Sequence, residues 1–159
     1  MTHLWRISRH ADLDGLGGEK ADARWHTAAK DKRIVYLSEH PAVALLEVLA
    51  NLKGNPKLFP NKYLLLKIAV EDSVFTAAQP PKNLPANWRA DIDSTQHAGD
   101  SWLATTRSAL LAIPSVPSPE SLNYLLNPRH PHAKRLTIAW SKWIDYDQRL
   151  FHLHEDAIE

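Results

Sequence analysis

Glu47 stands in the run Leu45-Leu46-Glu47-Val48-Leu49, where an apolar side chain would pack better than an acid. Two readings are open. A lone acid at a helix margin is most often a solvated edge. The alternative is a carboxylate placed in a cleft, facing positive charge that develops during a reaction. Arg6, in "LWRIS", and Arg24, after the glycine cluster of "DLDGLGGEKADARW", add a second chemistry. Arginine presents a planar, permanently charged fork that suits phosphate oxygens, so the pair is a candidate clamp for a pyrophosphate. For either arginine alone, a surface position or an ordinary ion pair is the commoner outcome. Tyr36, in the run "RIVYLS", offers a ring that can stack on a flat heteroaromatic group, although a core aromatic is the commoner case. Ser115 offers a hydroxyl between Pro114 and Val116. No G-x-S-x-G elbow surrounds it, so a hydrolase nucleophile is disfavoured and capping of local backbone is the ordinary role.

Other chemistries find less support. "GLGG" lacks the G-x-G-x-x-G fingerprint between a strand and a helix, so no Rossmann dinucleotide site is read. His130 and His132, and again His152 and His154, are spaced two apart, but no H-E-x-x-H motif occurs and the chain has no cysteine. A metal site is therefore not expected, and these histidines read as loop and tail residues. Trp88, Trp102, Trp140 and Trp143 lack the basic interleaving of a nucleic-acid stacking platform and read as core or surface anchors.

The elements that must position these groups can be outlined from pattern. "LWRIS" and "RIVYLS" read as strands. A helix is expected from near Glu39, capped by Ser38, with Pro41 in its first turn and Leu45, Leu46, Leu49 and Leu52 as its apolar arc. Glu47 falls at the margin of that arc. "KYLLLKIAVED" is apolar on both faces, as an interior strand is. "QPPKNLPANW" reads as a loop, "STQHAGDSWLATT" as a helix from Ser94, and "SALLAIPS" as a strand ending at Pro114-Ser115. "VPSPESLNYLLNPRHP" reads as an irregular connection with a helical turn at residues 122–126. "RLTIAWS" and "KWIDYDQRLF" read as a final pair of strands. Strands outnumber long helices without a βαβ repeat, which predicts an α+β domain with a mixed or antiparallel sheet.

The 159 residues favour a single domain. With 19 Lys+Arg against 18 Asp+Glu, the near-neutral balance argues against nucleic acid or an anionic membrane as the main partner, but leaves room for a local basic pocket. Without a bilayer-length apolar run or a signal-peptide pattern at "MTHLWRISRH", a soluble cytoplasmic protein is expected. The residues alone leave the reaction type open.

Three stretches, taken in order, resemble the RES domain family, the toxin half of bacterial RES–Xre toxin–antitoxin pairs. They are "LWRIS" followed by "GLGGEKADARWHT", then "VYLSEHPAVALLEVL", then "GDSWLATTRSALLAIPSVPSPESLNYLLNPRHP". The family takes its name from an Arg, a Glu and a Ser. The matching positions are Arg6 or Arg24, Glu47 and Ser115, with Tyr36 matching the family's strand tyrosine and Asn127 lying in the matching "LLNP" segment. The resemblance implies a fold similar to ADP-ribosyltransferase toxins and a cleft that takes NAD as substrate, with no metal. It departs at Ala23 and Ala29, where glycine is common, which puts the details of ligand approach in question.

The implied chemistry is cleavage of the nicotinamide–ribose bond. Glu47 would stabilise the oxocarbenium-like ribose, Arg6 and Arg24 would hold the pyrophosphate, Tyr36 would stack on nicotinamide, and Ser115 and Asn127 would contact substrate. Water, inorganic phosphate or a protein side chain as acceptor would make the enzyme a glycohydrolase, a phosphorylase or an ADP-ribosyltransferase. The implied partner is an Xre-like antitoxin, with DNA bound only through it. A non-catalytic module that binds an antitoxin is the competing class.

Overall fold

A computed structural model of the chain describes residues 1–52, 58 and 60–151. Its described elements run β1 (Thr2–Ser8), α1 (Gly17–Lys20), β2 (Val35–Ser38), α2 (Pro41–Asn51), β3 (Lys62–Val70), α3 (Asp72–Thr76), α4 (Ile92–Thr105), β4 (Leu110–Pro114), β5 (Leu122–Leu126) and β6 (Leu136–Asp145). The strands form one six-stranded sheet in the order β4-β5-β2-β1-β3-β6. Every strand pairing in it is antiparallel, so the α+β expectation holds.

β3 is apolar on both faces because it lies between β1 and β6. Leu64, Leu66, Ile68 and Val70 point into a core with Leu4, Val35, Leu37, Leu110, Tyr124 and Leu126. The opposite face, under α4, carries a second core of Trp25, Ile34, Trp102, Leu111, Ile113 and Leu125. Each side chain of this size taken fully out of water contributes about 1.5–3 kcal/mol. β1 meets β3 at seven register positions but meets β2 only at Trp5–Ser38. The sheet is thus barely joined between β1 and β2, and the cleft opens at that seam.

Several local expectations are corrected. Ser38 is the last residue of β2, and His40 caps α2 instead, its Nδ1 accepting from Ala42 N at 3.1 Å. The buried side of α2 is Val43 and Ala44 and not the leucine arc, for Leu46 is 43% exposed. Residues 122–126 form a strand because they pair on both sides, with β2 and with β4. The expected final pair of strands is one strand, β6, interrupted by a bulge where the register shifts opposite Lys67 and Ile68. Asp91, one turn earlier than Ser94, caps α4 by accepting from Ser94 N at 3.0 Å.

The tryptophans divide as anchors do. Trp102 is buried and donates to Ser108 Oγ at 3.0 Å, Trp140 packs edge-on to Trp5, and Trp143 is 61% exposed. His130 caps a short 3-10 turn over Pro131–Arg135, while His152 and His154 lie outside the described residues. Among the described residues, no helix is long and apolar enough to cross a membrane.

Candidate active site

Strand pleat decides which side chains meet. Tyr36 pairs with Leu125, Ser38 with Asn123, and Ile113 with Asn123, so Tyr36, Ser38, Ile113 and Asn123 share one face of the sheet. α2 lays Glu47 over that face. A cleft of about 460 Å³ results, lined by Arg6, Arg24, Tyr36, Ser38, Glu47 and Asn123 together with the α1 glycines and the 21–26 segment. Clefts of roughly 300–1,000 Å³ are the usual size for small-molecule and cofactor ligands.

Glu47 is half-buried and held by two donors on one oxygen. Asn123 Nδ2 donates to Oε1 at 2.6 Å and Ser115 Oγ donates to the same oxygen at 2.8 Å. Ser115 is fully buried behind the carboxylate, just past β4, and also accepts from Ser118 N at 3.3 Å. It reaches the cleft only through Glu47.

The Tyr36 hydroxyl is held on two sides. It accepts from Trp25 N at 3.2 Å and lies 2.8 Å from His26 Nδ1. Nε2 of His26 lies 3.1 Å from the carbonyl oxygen of Gly18, which can only accept. The proton therefore sits on Nε2, and the tyrosine hydroxyl donates to Nδ1. Burial holds His26 below the usual histidine pKa, the Gly18 hydrogen bond partly opposing this. Burial also raises the Tyr36 hydroxyl well above its ordinary value, with Asp100 and Glu47 adding to the rise. Both groups are neutral near pH 7.

Arg6 Nη1 donates to the Asp12 carbonyl at 2.6 Å and stands 3.7 Å from the Asp12 carboxylate. Burial lowers its pKa, opposed by Asp12 and Asp14. Arg24 Nη2 donates to the carbonyls of Trp88 and Arg89, each at 2.6 Å, while its buried Nε has no hydrogen-bond partner among the described residues. A bound anion would supply that missing acceptor. The segment carrying Arg24 is fastened to α4. Thr95 donates to the Arg24 carbonyl, Gln96 to the Ala23 carbonyl, and Asp100 accepts from Thr27 N at 3.1 Å, Thr27 Oγ1 at 2.6 Å and Lys32 Nζ at 3.0 Å. Burial would raise the Asp100 pKa, but the Thr27 and Lys32 bonds outweigh it and hold the carboxyl below its ordinary range.

Five of the six residues picked from the sequence thus gather at the cleft, four lining it and Ser115 behind Glu47. Asn127 does not line it. It closes a turn after β5, its Oδ1 accepting from Arg129 N at 3.0 Å. Ala23 lines the cleft, whereas Ala29 is exposed and does not. Sequence reasoning passed over Asn123 and His26. Asn123 would have been found by reading "LNYLL" as a strand, which sends Asn123 and Leu125 to one face. Among the described residues, no group of three or more His, Asp or Glu side chains could hold a metal ion.

The RES domain profile matches residues 3–150. A Pseudomonas putida (strain KT2440) protein named Toxin Res is 40% identical over 148 residues, covering 93% of this chain and 99% of that protein. A Sphingobium sp. (strain YBL2) protein named Prs ADP-ribosylating toxin is 36% identical over 160 residues, covering 94% of this chain and 96% of that protein. A solved structure, the Mycobacterium tuberculosis MbcT–MbcA toxin–antitoxin complex, shares the fold, with a TM-score of 0.68 at 16% identity over 95% of this chain and 87% of that one. The match across nearly the whole length makes this chain a member of the RES domain family.

Proposed function

We propose that the chain is the toxin of a toxin–antitoxin pair and that it cleaves the nicotinamide–ribose bond of NAD, depleting NAD by hydrolysis or phosphorolysis. The observation that carries this is the fixed Glu47 carboxylate in one cleft with Arg6, Arg24 and Tyr36. As the bond breaks, its electron pair leaves with nicotinamide, which departs neutral, and positive charge builds on the ribose. A carboxylate already in place stabilises that charge more in the transition state than in the ground state, which is what accelerates the step. The buried Arg24 Nε gains an acceptor when a pyrophosphate oxygen enters, relieving an unmet donor worth about 1–3 kcal/mol. Arg6 adds charge on the other side of the seam. Tyr36 lines the cleft with its hydroxyl tied to His26, and in this reading its ring stacks on the nicotinamide. Water or inorganic phosphate then bonds to the ribose carbon and loses a proton to solvent.

The partner in this reading is an Xre-like antitoxin that covers the cleft and carries the DNA contact, and the site of action is the cytoplasmic NAD pool. A second reading, transfer of ADP-ribose to a protein, is favoured by the name of the Sphingobium relative. NAD loss by the purified chain, with and without inorganic phosphate and beside Glu47→Ala, tests both. Glu47-dependent loss without phosphate supports hydrolysis, and a strict need for phosphate supports phosphorolysis. If NAD is stable in both conditions while label from adenine-labelled NAD appears on protein, the transferase reading replaces the first.

A further inference from the structure

We propose that Asn123 is the positioning residue that aims Glu47 in this reaction, and that Ser38 acts through it. This rests on the NAD reading above. A glutamate on an exposed helix margin samples several rotamers, and a carboxylate that must meet charge at one ribose carbon gains from being confined to one. The confinement comes from a hydrogen-bonded chain across three elements. Ser38 Oγ, on β2, donates to Asn123 Oδ1 at 2.6 Å. Asn123 Nδ2, on β5, donates to Glu47 Oε1 on α2 at 2.6 Å. Ser38 and Asn123 are 5% and 7% exposed, so the chain is shielded from competing water.

The direction of each bond matters. An asparagine amide turned the other way would put Oδ1 against the Glu47 carboxylate and repel it. The Glu47 carboxylate only accepts, so it takes the amide N–H, and the Ser38 hydroxyl satisfies the amide oxygen that is left. Both donors reach Oε1 and neither takes Oε2, which leaves the second carboxylate oxygen for the ribose side of the cleft. The cross-strand register places Ser38 directly opposite Asn123, so the chain is fixed by backbone pairing and does not depend on a loop.

If Asn123 only satisfied buried polar groups, its loss would lower stability and leave turnover by the folded protein intact. The experiment measures kcat, KM and Tm for NAD consumption by wild type, Glu47→Ala, Asn123→Ala, Ser38→Ala and the Asn123→Ala/Ser38→Ala double variant. It also records the Asn123 side-chain amide resonances in 15N-labelled wild type and Glu47→Ala. The expected result is a fall in kcat of about 10–100-fold for Asn123→Ala with KM nearly unchanged. Ser38→Ala lowers kcat less, and adds nothing in the Asn123→Ala background because it acts through the same amide. The downfield Nδ2 proton of Asn123 moves upfield in Glu47→Ala. Wild-type turnover that Glu47→Ala abolishes and Asn123→Ala leaves intact overturns the positioning role alone, as does a Ser38 effect that multiplies fully in the double variant. An Nδ2 proton indifferent to Glu47 overturns it on geometry. A wild type that never consumes NAD overturns the NAD reading and this role with it.

Discussion

Ser115 Oγ donates to Glu47 Oε1 at 2.8 Å, joining residues 68 positions apart in the chain. One lies just past the end of β4 and the other midway along α2. The sheet brings them together because β4 and β5 pair in register and α2 packs across β1 and β2. The serine is fully buried and does not line the cleft, and its hydroxyl bonds the carboxylate directly.

That relationship gives the first prediction. Ser115→Ala removes one of the two donors on Oε1 and leaves Asn123 as the other. The expected outcome is a kcat for NAD consumption lowered by about tenfold, a KM changed little, and a stability loss of about 1 kcal/mol. Steady-state kinetics beside urea unfolding checks it. A rise in KM with kcat unchanged would place Ser115 against the substrate instead.

How legible was this in the sequence? β1, β3 and the Glu47 helix announce themselves through local periodicity, which is a property of each segment alone. β5 does not, because Pro117, Pro119 and Asn127-Pro128 around it signal loops while the strand depends on partners at residues 35–38 and 110–114. β6 reads as two strands because Ser141-Lys142 interrupts its apolar run, and only pairing with β3 shows it to be continuous. The individual site residues could be chosen by type and by family resemblance. Their convergence could not, since it depends on sheet register between distant segments. Asn123 was hidden for the same reason as the strand that carries it.

Gly99→Ala tests the fastening of the Arg24 segment. A Cβ at Gly99 would fall on the Trp25 carbonyl oxygen, a backbone atom that cannot swing aside. The helix and the segment must separate, carrying Arg24, Trp25 and His26 away from the cleft. Overpacking of this kind costs about 1–3 kcal/mol, which corresponds to a Tm lowered by roughly 2–12 °C in a chain of this size. NAD turnover at a temperature where the variant is still folded should fall as well. A variant with wild-type turnover would show that α4 does not govern the cleft.

His26 predicts a pH dependence of stability. Burial holds its folded pKa below the ordinary value, with the Gly18 hydrogen bond and Asp100 partly opposing and Lys32 reinforcing the shift. Between the folded pKa and about 6.5 the unfolded chain binds the proton and the folded chain does not. Stability is therefore fully present above the unfolded pKa and declines as pH falls below it. His130 is lowered too, by burial and by His132, so the comparison must be made against a His26→Gln variant that keeps His130. Urea unfolding at pH 7.5 and pH 5.5 should show a larger loss in wild type than in His26→Gln. Equal losses would mean that His26 is not the group responsible.

Arg24→Lys separates charge from shape. The guanidinium spans two carbonyls through Nη2, its buried Nε has no partner among the described residues, and the residue lines the cleft. A lysine ammonium keeps the charge but cannot hold both carbonyls and reach a phosphate oxygen in the same fork. KM for NAD should rise about tenfold with a smaller change in kcat, because pyrophosphate binding is common to ground and transition states. A lysine variant with wild-type KM would remove Arg24 from substrate binding and leave Arg6 as the arginine that matters.

Asn127→Ala sets the family resemblance against the geometry. The resemblance makes Asn127 a substrate contact, while the structure gives it a turn to close. Its Oδ1 accepts from Arg129 N at 3.0 Å, its backbone N donates to Ala109 O at 2.9 Å, and its carbonyl accepts from His130 N at 3.1 Å. Only the first of these bonds depends on the side chain. Truncation should cost about 1 kcal/mol of stability through that lost acceptor. Because the side chain does not line the cleft, kcat and KM of the folded protein should stay within about twofold of wild type, a change worth less than about 0.5 kcal/mol of transition-state stabilisation. A large rise in KM at unchanged stability would restore Asn127 to the substrate and require the end of β5 to move toward the cleft when NAD binds.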